Sequence, residues 1–194
     1  MNVLWDLDGT ILDTWPTLVQ SFIRISGKEL DPHEVLTPLK NGTAYQKFDV
    51  PPEKIADFRQ TEATFMHDEK PLFPHVRGIL EQNNVNVLVT HRNRQSTEEL
   101  LEYWKLTSYF EEVICPEFDG FSLKPHPESY EYLHRRYHID LAIGDQDTDL
   151  MPARQIGIST CAFRSTNPYA DFSIDCYSKF ELAINRHYEP DWFN

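Results

Sequence analysis

Two acids and a glycine open the chain's chemistry. Asp6-Leu7-Asp8-Gly9-Thr10 follows a short apolar run, Val3-Leu4-Trp5, at the N-terminus. Further along, Thr90 ends a second apolar run and leads into His91-Arg92-Asn93. Lys124-Pro125 follows a third run, and Gly144-Asp145 ends a fourth, with Asp149 close behind. Carboxylates crowded together repel one another unless a cation joins them. An oxygen-rich set without His or Cys pairing suits a hard divalent ion, and Mg²⁺ is the natural choice. The expected metal set is Asp6, Asp8, Asp145 and Asp149.

The same residue types fit phosphoryl transfer. An ionised Asp6 beside a metal is a nucleophile able to form an aspartyl-phosphate. Asp8, two residues on, is suited to protonating the departing alcohol and later activating water. Gly9 permits a tight turn, so that the amides of Gly9 and Thr10 are expected to reach phosphate oxygens. Thr90 and Lys124 would meet the equatorial oxygens, where transition-state charge sits. Asp145 would hold the metal, and Asp149 would orient Lys124 or a metal-bound water. His91, Arg92 and Asn93 either touch substrate or cap the next helix. Asp13 stands where a cap for the first helix is expected, ahead of Trp15-Pro16.

These residues need elements to carry them to one place. The apolar runs read as buried strands: the N-terminal run, then Asn86 to Thr90, Glu112 to Cys115, Leu141 to Gly144, and Ile158 to Phe163. Amphipathic stretches between them, Ser96 to Trp104, Glu128 to Tyr137 and Thr148 to Ile156, read as helices. Alternating strands and helices mean an α/β fold with a mostly parallel sheet, and ligands then bind along its carboxyl edge.

Residues 15–71 break the alternation. Thr17 to Ser26, Pro32 to Leu39 and Glu53 to Met66 read as helices, so this stretch is expected to be a helical cap inserted after the first strand. The core is then 1–14 and 72–194. Lys40, Asn41, Gly42, Thr43, Tyr45 and Lys47 form a polar loop between two cap helices, and Lys40 and Thr43 are its candidate substrate contacts. The Lys54-to-Lys70 stretch reads as a solvated helix face. From Asp171 on, one short strand, a helix around Lys179 to Asn185, and a loose acidic and aromatic tail are expected.

Composition narrows the partners. The chain has 194 residues, with 18 Lys and Arg against 31 Asp and Glu, a net charge of −13. Nucleic acid or an anionic membrane as main partner would need a basic face, so neither is expected. A small phosphorylated metabolite held through a metal is compatible with that charge. Cys115, Cys161 and Cys176 form no CxxC pair and read as reduced core thiols. No apolar run approaches a membrane span and no secretory leader is evident, so a soluble cytoplasmic protein is expected.

In this order the motifs resemble the haloacid dehalogenase-like (HAD) hydrolase superfamily. DLDGTILD is similar to its first motif, VLVTHRN to the second, KPHPESYEYL to the third and IGDQDTDLMPARQIGISTCAF to the fourth. The helical insertion resembles the cap of the phosphoglycolate phosphatase and β-phosphoglucomutase branch. The resemblance implies a Rossmann-like core, the roles given above, and metal ligation by the Asp8 backbone carbonyl. The departures lie at Gln146-Asp147-Thr148, at Met151-Pro152-Ala153 and in the Thr-His-Arg-Asn turn. The expected function is a Mg²⁺-dependent phosphatase acting on a small phosphomonoester. A phosphomutase is the alternative, differing in how its cap excludes water. A dehalogenase would have no use for Asp8. A phospho-receiver domain would lack a cap and GDxxxD, and a non-enzymatic binding protein would not need every catalytic position filled, as they are here.

Overall fold

The computed structural model describes residues 1–188. By contact density the chain divides into two compact units: Met1–Leu12 with the chain from Leu72 onward, and Asp13–Pro71.

Chain order begins with β1 (Asn2–Trp5). The second unit follows, with α1 (Trp15–Ser26), α2 (Pro32–Lys40), α3 (Ala44–Lys47) and α4 (Ile55–Ala63). The first unit resumes with α5 (Val76–Gln82), β2 (Val85–Val89), α6 (Arg94–Tyr103), β3 (Glu112–Ile114) and α7 (Pro116–Asp119). It continues through α8 (Glu128–Tyr137), β4 (Leu141–Gly144), α9 (Asp147–Gln155), β5 (Ser159–Phe163), β6 (Phe172–Ile174) and α10 (Phe180–Tyr188). The expected tail beyond α10 lies outside the described residues.

The six strands make one parallel sheet in the order β3-β2-β1-β4-β5-β6. The order reverses at β1, so the loops after β1, β2 and β4 meet at the centre of the carboxyl edge. Side chains alternate between faces along each strand. Val3, Trp5, Leu88, Ile143, Cys161 and Phe163 pack on one face, with Leu80 of α5, Leu100 of α6 and Phe180 of α10. Leu4, Val87, Val89 and Ala142 pack on the other, with Tyr130 and Leu133 of α8 and Ala153 of α9. Cover on both faces explains why the strands read as continuous apolar runs. Trp5 is buried within this packing, and its Nε1 donates to Asn86 Oδ1 at 2.9 Å. No described helix is long and apolar enough to cross a membrane.

The second unit has its own core of Val19, Phe22, Val35, Ala44 and Val50. Here the structure corrects several expectations. The Glu53-to-Met66 stretch is a 3-10 turn, Pro52–Lys54, followed by α4, which stops at Ala63. Lys70 packs against its end. The Lys70 ammonium is buried, pairs with Glu62 Oε1 at 2.9 Å, and donates to the carbonyls of Glu62 and Phe65 at 3.2 and 3.4 Å. Glu62 lies in the last turn of α4 and Phe65 just beyond it. Lys70 is therefore an internal brace rather than part of a solvated face. The polar stretch after Lys40 is not all loop either: Gly42 turns the chain with φ +68° and Ala44–Lys47 forms a helical turn. The N-cap position of α1 falls to Thr14, not Asp13. Asp13 instead donates its amide to Pro71 O at 2.8 Å, closing the base of the unit.

Candidate active site

Asp6 is the first residue past β1, held by its amide donating to Ile143 O at 3.0 Å. The chain then coils tightly, with the amides of Ile11 and Leu12 both donating to Leu7 O at 2.9 and 3.0 Å. Gly9 supports this coil with φ 84°, a conformation that suits a residue without Cβ. Its amide donates to Leu12 O at 2.7 Å, and that of Thr10 to Leu7 O at 3.4 Å. The Thr10 hydroxyl donates to Asp6 Oδ2 at 3.1 Å. Gly9 and Thr10 thus shape the turn and hold Asp6. Their amides and the Thr10 hydroxyl make their hydrogen bonds within this loop.

Lys124 comes to Asp6 from the other side, 118 residues away in sequence. Its Nζ lies 2.8 Å from Asp6 Oδ1, 2.6 Å from Asp149 Oδ1 and 3.2 Å from Val89 O. Three donors meet three acceptors. The peptide between Lys124 and Pro125 is cis. Burial opposes the ammonium charge, but Asp149 and Asp6 outweigh it and hold the Lys124 pKa well above the ordinary lysine range. Asp6 is pushed well above the usual carboxylate range, first by burial and then by the Asp149 charge, with Lys124 offsetting part.

Asp149 sits in the first turn of α9, where its Oδ2 accepts the Gln146 amide at 3.0 Å. Its side chain lies against Gly144: a Cβ there would come within 2.3 Å of Asp149 Cβ. Gly144 is a site residue that reading strand ends missed. Its signal was the glycine closing an otherwise apolar strand.

Carboxylate oxygens of Asp6, Asp145 and Asp149, all buried, lie within 4.8 Å of one another. Three carboxylates against one ammonium leave excess negative charge, and the donors are all hard oxygens. This set fits a hard dication in octahedral oxygen coordination. The Asp8 carboxylate is not in the group. It faces Arg92, whose Nη2 lies 2.8 Å from Asp8 Oδ1. The Asp8 side chain thus lies apart from the carboxylate group, held by a guanidinium that no spacing rule had paired with it.

Thr90 is buried just past β2, its amide donating to Ile114 O at 3.0 Å and its Oγ1 accepting from the Arg92 amide at 3.1 Å. The hydroxyl proton remains for a donor role. Asn93 is the cap of α6, its Oδ1 accepting from Ser96 N at 2.8 Å, which settles which member of the turn caps the helix. His91 is exposed at the rim, yet protein surrounds much of its ring. Desolvation and the Lys124 ammonium lower its imidazole pKa to about 4, an effect that its solvent exposure tempers. Tyr177, another residue missed from sequence, is buried against Phe163 and donates its hydroxyl to Thr10 O at 2.9 Å, bracing the first loop from beneath.

Lys40 and Thr43 belong to the second unit. Lys40 Nζ stands 4.7 Å over the Trp15 ring, and Thr43 precedes α3. Of the cysteines, Cys115 and Cys161 are buried but Cys176 is only partly so, which corrects the expectation of three core thiols.

Residues 3–163 match the haloacid dehalogenase-like hydrolase family. The chain belongs to this family. A pyrophosphatase of Bacillus cereus, PpaX, is 27% identical over 180 residues, covering 83% of this chain and 82% of that protein. A hydrolase from Streptococcus pneumoniae TIGR4 of known crystal structure is 31% identical, with a TM-score of 0.62 over 84% of this chain and 92% of that one. A predicted phosphoglycolate phosphatase from Haemophilus somnus shares the fold at 18% identity, with a TM-score of 0.72 over 93% of this chain and 96% of that one. The protein is thus a haloacid dehalogenase-like hydrolase of α/β fold with a Rossmann-like parallel sheet, and its relatives include enzymes named as phosphatases.

Proposed function

We propose that the protein is a Mg²⁺-dependent phosphatase that hydrolyses a small phosphomonoester through an aspartyl-phosphate on Asp6. The observation that carries this reading is the Asp6 carboxylate, fixed between Lys124 and Thr10 and close to the Asp145 and Asp149 carboxylates. Mg²⁺ held by Asp6, Asp145 and Asp149 would supply positive charge to the phosphoryl oxygens and favour the ionised nucleophile.

An Asp6 oxygen attacks phosphorus, and the bond from phosphorus to the leaving oxygen breaks. Asp8 gives that oxygen its proton. Asp8, now ionised, takes a proton from water, which attacks the aspartyl-phosphate, releases inorganic phosphate and restores Asp6. Lys124 holds Asp6 in direction and faces the charge that develops on the phosphoryl group, with Thr90 donating from the neighbouring strand end. Asp149 holds Lys124 in place. His91 at the rim is assigned to reading the substrate.

The test is phosphate release from a panel of sugar phosphates, nucleotides, phosphoglycolate and p-nitrophenyl phosphate. Asp6→Asn is expected to keep the fold and lose nearly all turnover. Retention of more than a few per cent of wild-type kcat in a contaminant-free preparation would overturn the assignment.

A further inference from the structure

A cavity of about 630 Å³ opens beside β6, between the segment that follows β5 and one face of α10. Asp6, Thr90, Lys124, Asp145 and Asp149 take no part in its walls. Its lining carries three cations, Arg164, Lys179 and Arg186, against one acid, Asp175. That balance reverses the −13 of the whole chain. A positive patch in an acidic molecule draws anions to that place.

Arg164 is the first residue past β5, and its amide donates to Ile174 O at 2.8 Å. Its φ is 51°, a left-handed conformation uncommon for a long side chain. The guanidinium stands 5.3 Å over the Phe73 ring. A ring face engages the charge without taking up the fork of N–H donors. Among the described residues the Arg164 side chain makes no hydrogen bond or ion pair. Lys179 meets both Asp175 oxygens, at 2.9 and 3.0 Å, in a pair that is 61% and 70% exposed. An exposed pair of this kind is worth little, so its ammonium is readily shared with a ligand. Ser165 also lines the cavity, and its Oγ is buried with no hydrogen-bond partner. An orphaned hydroxyl calls for an acceptor, which an oxyanion beside Arg164 supplies.

The remaining wall is apolar. Ile174, Leu182 and Ala183 line it, and Leu182 is 46% exposed. A bare inorganic anion would leave that surface wet, whereas an apolar body covers it.

We propose that this cavity is a binding site, separate from the Asp6 centre, for a small organic oxyanion. Its carboxylate or phosphoryl head lies on Arg164 and Lys179, and its apolar body lies against Leu182 and Ile174. Both heads present paired oxygens, which a guanidinium fork takes bidentately. The site does not depend on the phosphatase reading, since none of its residues serves the Asp6 chemistry.

The experiment titrates the full chain, with Mg²⁺ present, and follows amide signals by NMR. The probes are phenylphosphonate and phenylacetate, with methylphosphonate as a head without a body and phenylacetamide as a body without a charge. The Ser165, Thr166 and Ser173 amides are expected to move together and saturate with one Kd, about a millimolar or tighter, for at least one of the two full probes. Binding of that probe at the Asp6 centre is read separately, at the Gly9 and Gln146 amides. Methylphosphonate and phenylacetamide should each bind the cavity at least roughly tenfold more weakly. Arg164→Gln should weaken the full probe by a similar factor, while Arg164→Lys keeps part of the affinity. Leu182→Ser should narrow the gap between phenylphosphonate and methylphosphonate. The tighter of the two full probes tells a phosphoryl from a carboxylate head. No saturable shift at the three amides overturns the proposal, as does equal affinity for phenylacetamide or an unchanged Kd in Arg164→Gln. Should Arg164→Gln fail to fold by circular dichroism, Lys179→Gln decides in its place, an unchanged Kd counting against.

Discussion

Lys124 donates to Asp149 at 2.6 Å, with 2% of each side chain exposed. Breaking a buried pair by removing one partner typically costs ~3–5 kcal/mol, because the other charge is left without compensation. Lys124 also serves Asp6, so its loss leaves three carboxylates facing one another. Lys124→Met is expected to lower stability by about that amount in urea melts without divalent ions, and Mg²⁺ should recover part of it. Turnover should fall by roughly 10²–10³, as for loss of one donor aimed at transition-state charge. Wild-type turnover in the variant would remove Lys124 from the chemistry.

The metal set is tested through Asp145. It is buried within the carboxylate group yet outside the Lys124 bridge, so Asp145→Asn changes the charge around a cation while Lys124 keeps its partners. The variant should need a higher Mg²⁺ concentration for half-maximal activity, and EDTA should abolish wild-type activity. Full turnover in EDTA would exclude the site as drawn.

Gly144 offers a test that changes no charge. A methyl group there would lie 2.3 Å from Asp149 Cβ and 2.8 Å from its carboxylate carbon and Oδ2. Either β4 or the first turn of α9 must shift. Gly144→Ala should destabilise the protein by ~1–3 kcal/mol, as overpacking does, and raise the Mg²⁺ concentration needed for half-maximal activity by moving Asp149. A melting temperature and activity equal to wild type would show that Asp149 moves without consequence.

His91 gives a pH signature. Its folded pKa is lowered to about 4 from 6.5. The unfolded chain therefore takes up the proton first as pH falls. Stability from this group is full above the unfolded value and is lost progressively as pH drops toward 4. His91→Gln should flatten that part of the stability profile. An NMR titration of the His91 Cε1–H signal should show a midpoint well below 6.5, and a midpoint at the ordinary value would refute the shift.

The order of residue types along the chain was enough to place Asp6, Thr90 and Asp145 at strand ends, because strand periodicity and the apolar content of a doubly covered sheet are local properties. The element sequence likewise determined that the sheet would be parallel. Tertiary structure decided which of these side chains touch. Lys124 meets Asp6 across 118 residues, Arg92 meets Asp8 across 84, and Tyr177 meets Thr10 across 167. Those partners depend on strand order, with β1 between β2 and β4, and on loop geometry after each strand. The burial of Lys70 and the helical turn at Ala44–Lys47 were hidden for the same reason. A lysine's charge and a loop's polarity say where a residue prefers to be, whereas packing and available hydrogen-bond partners decide where it can be held.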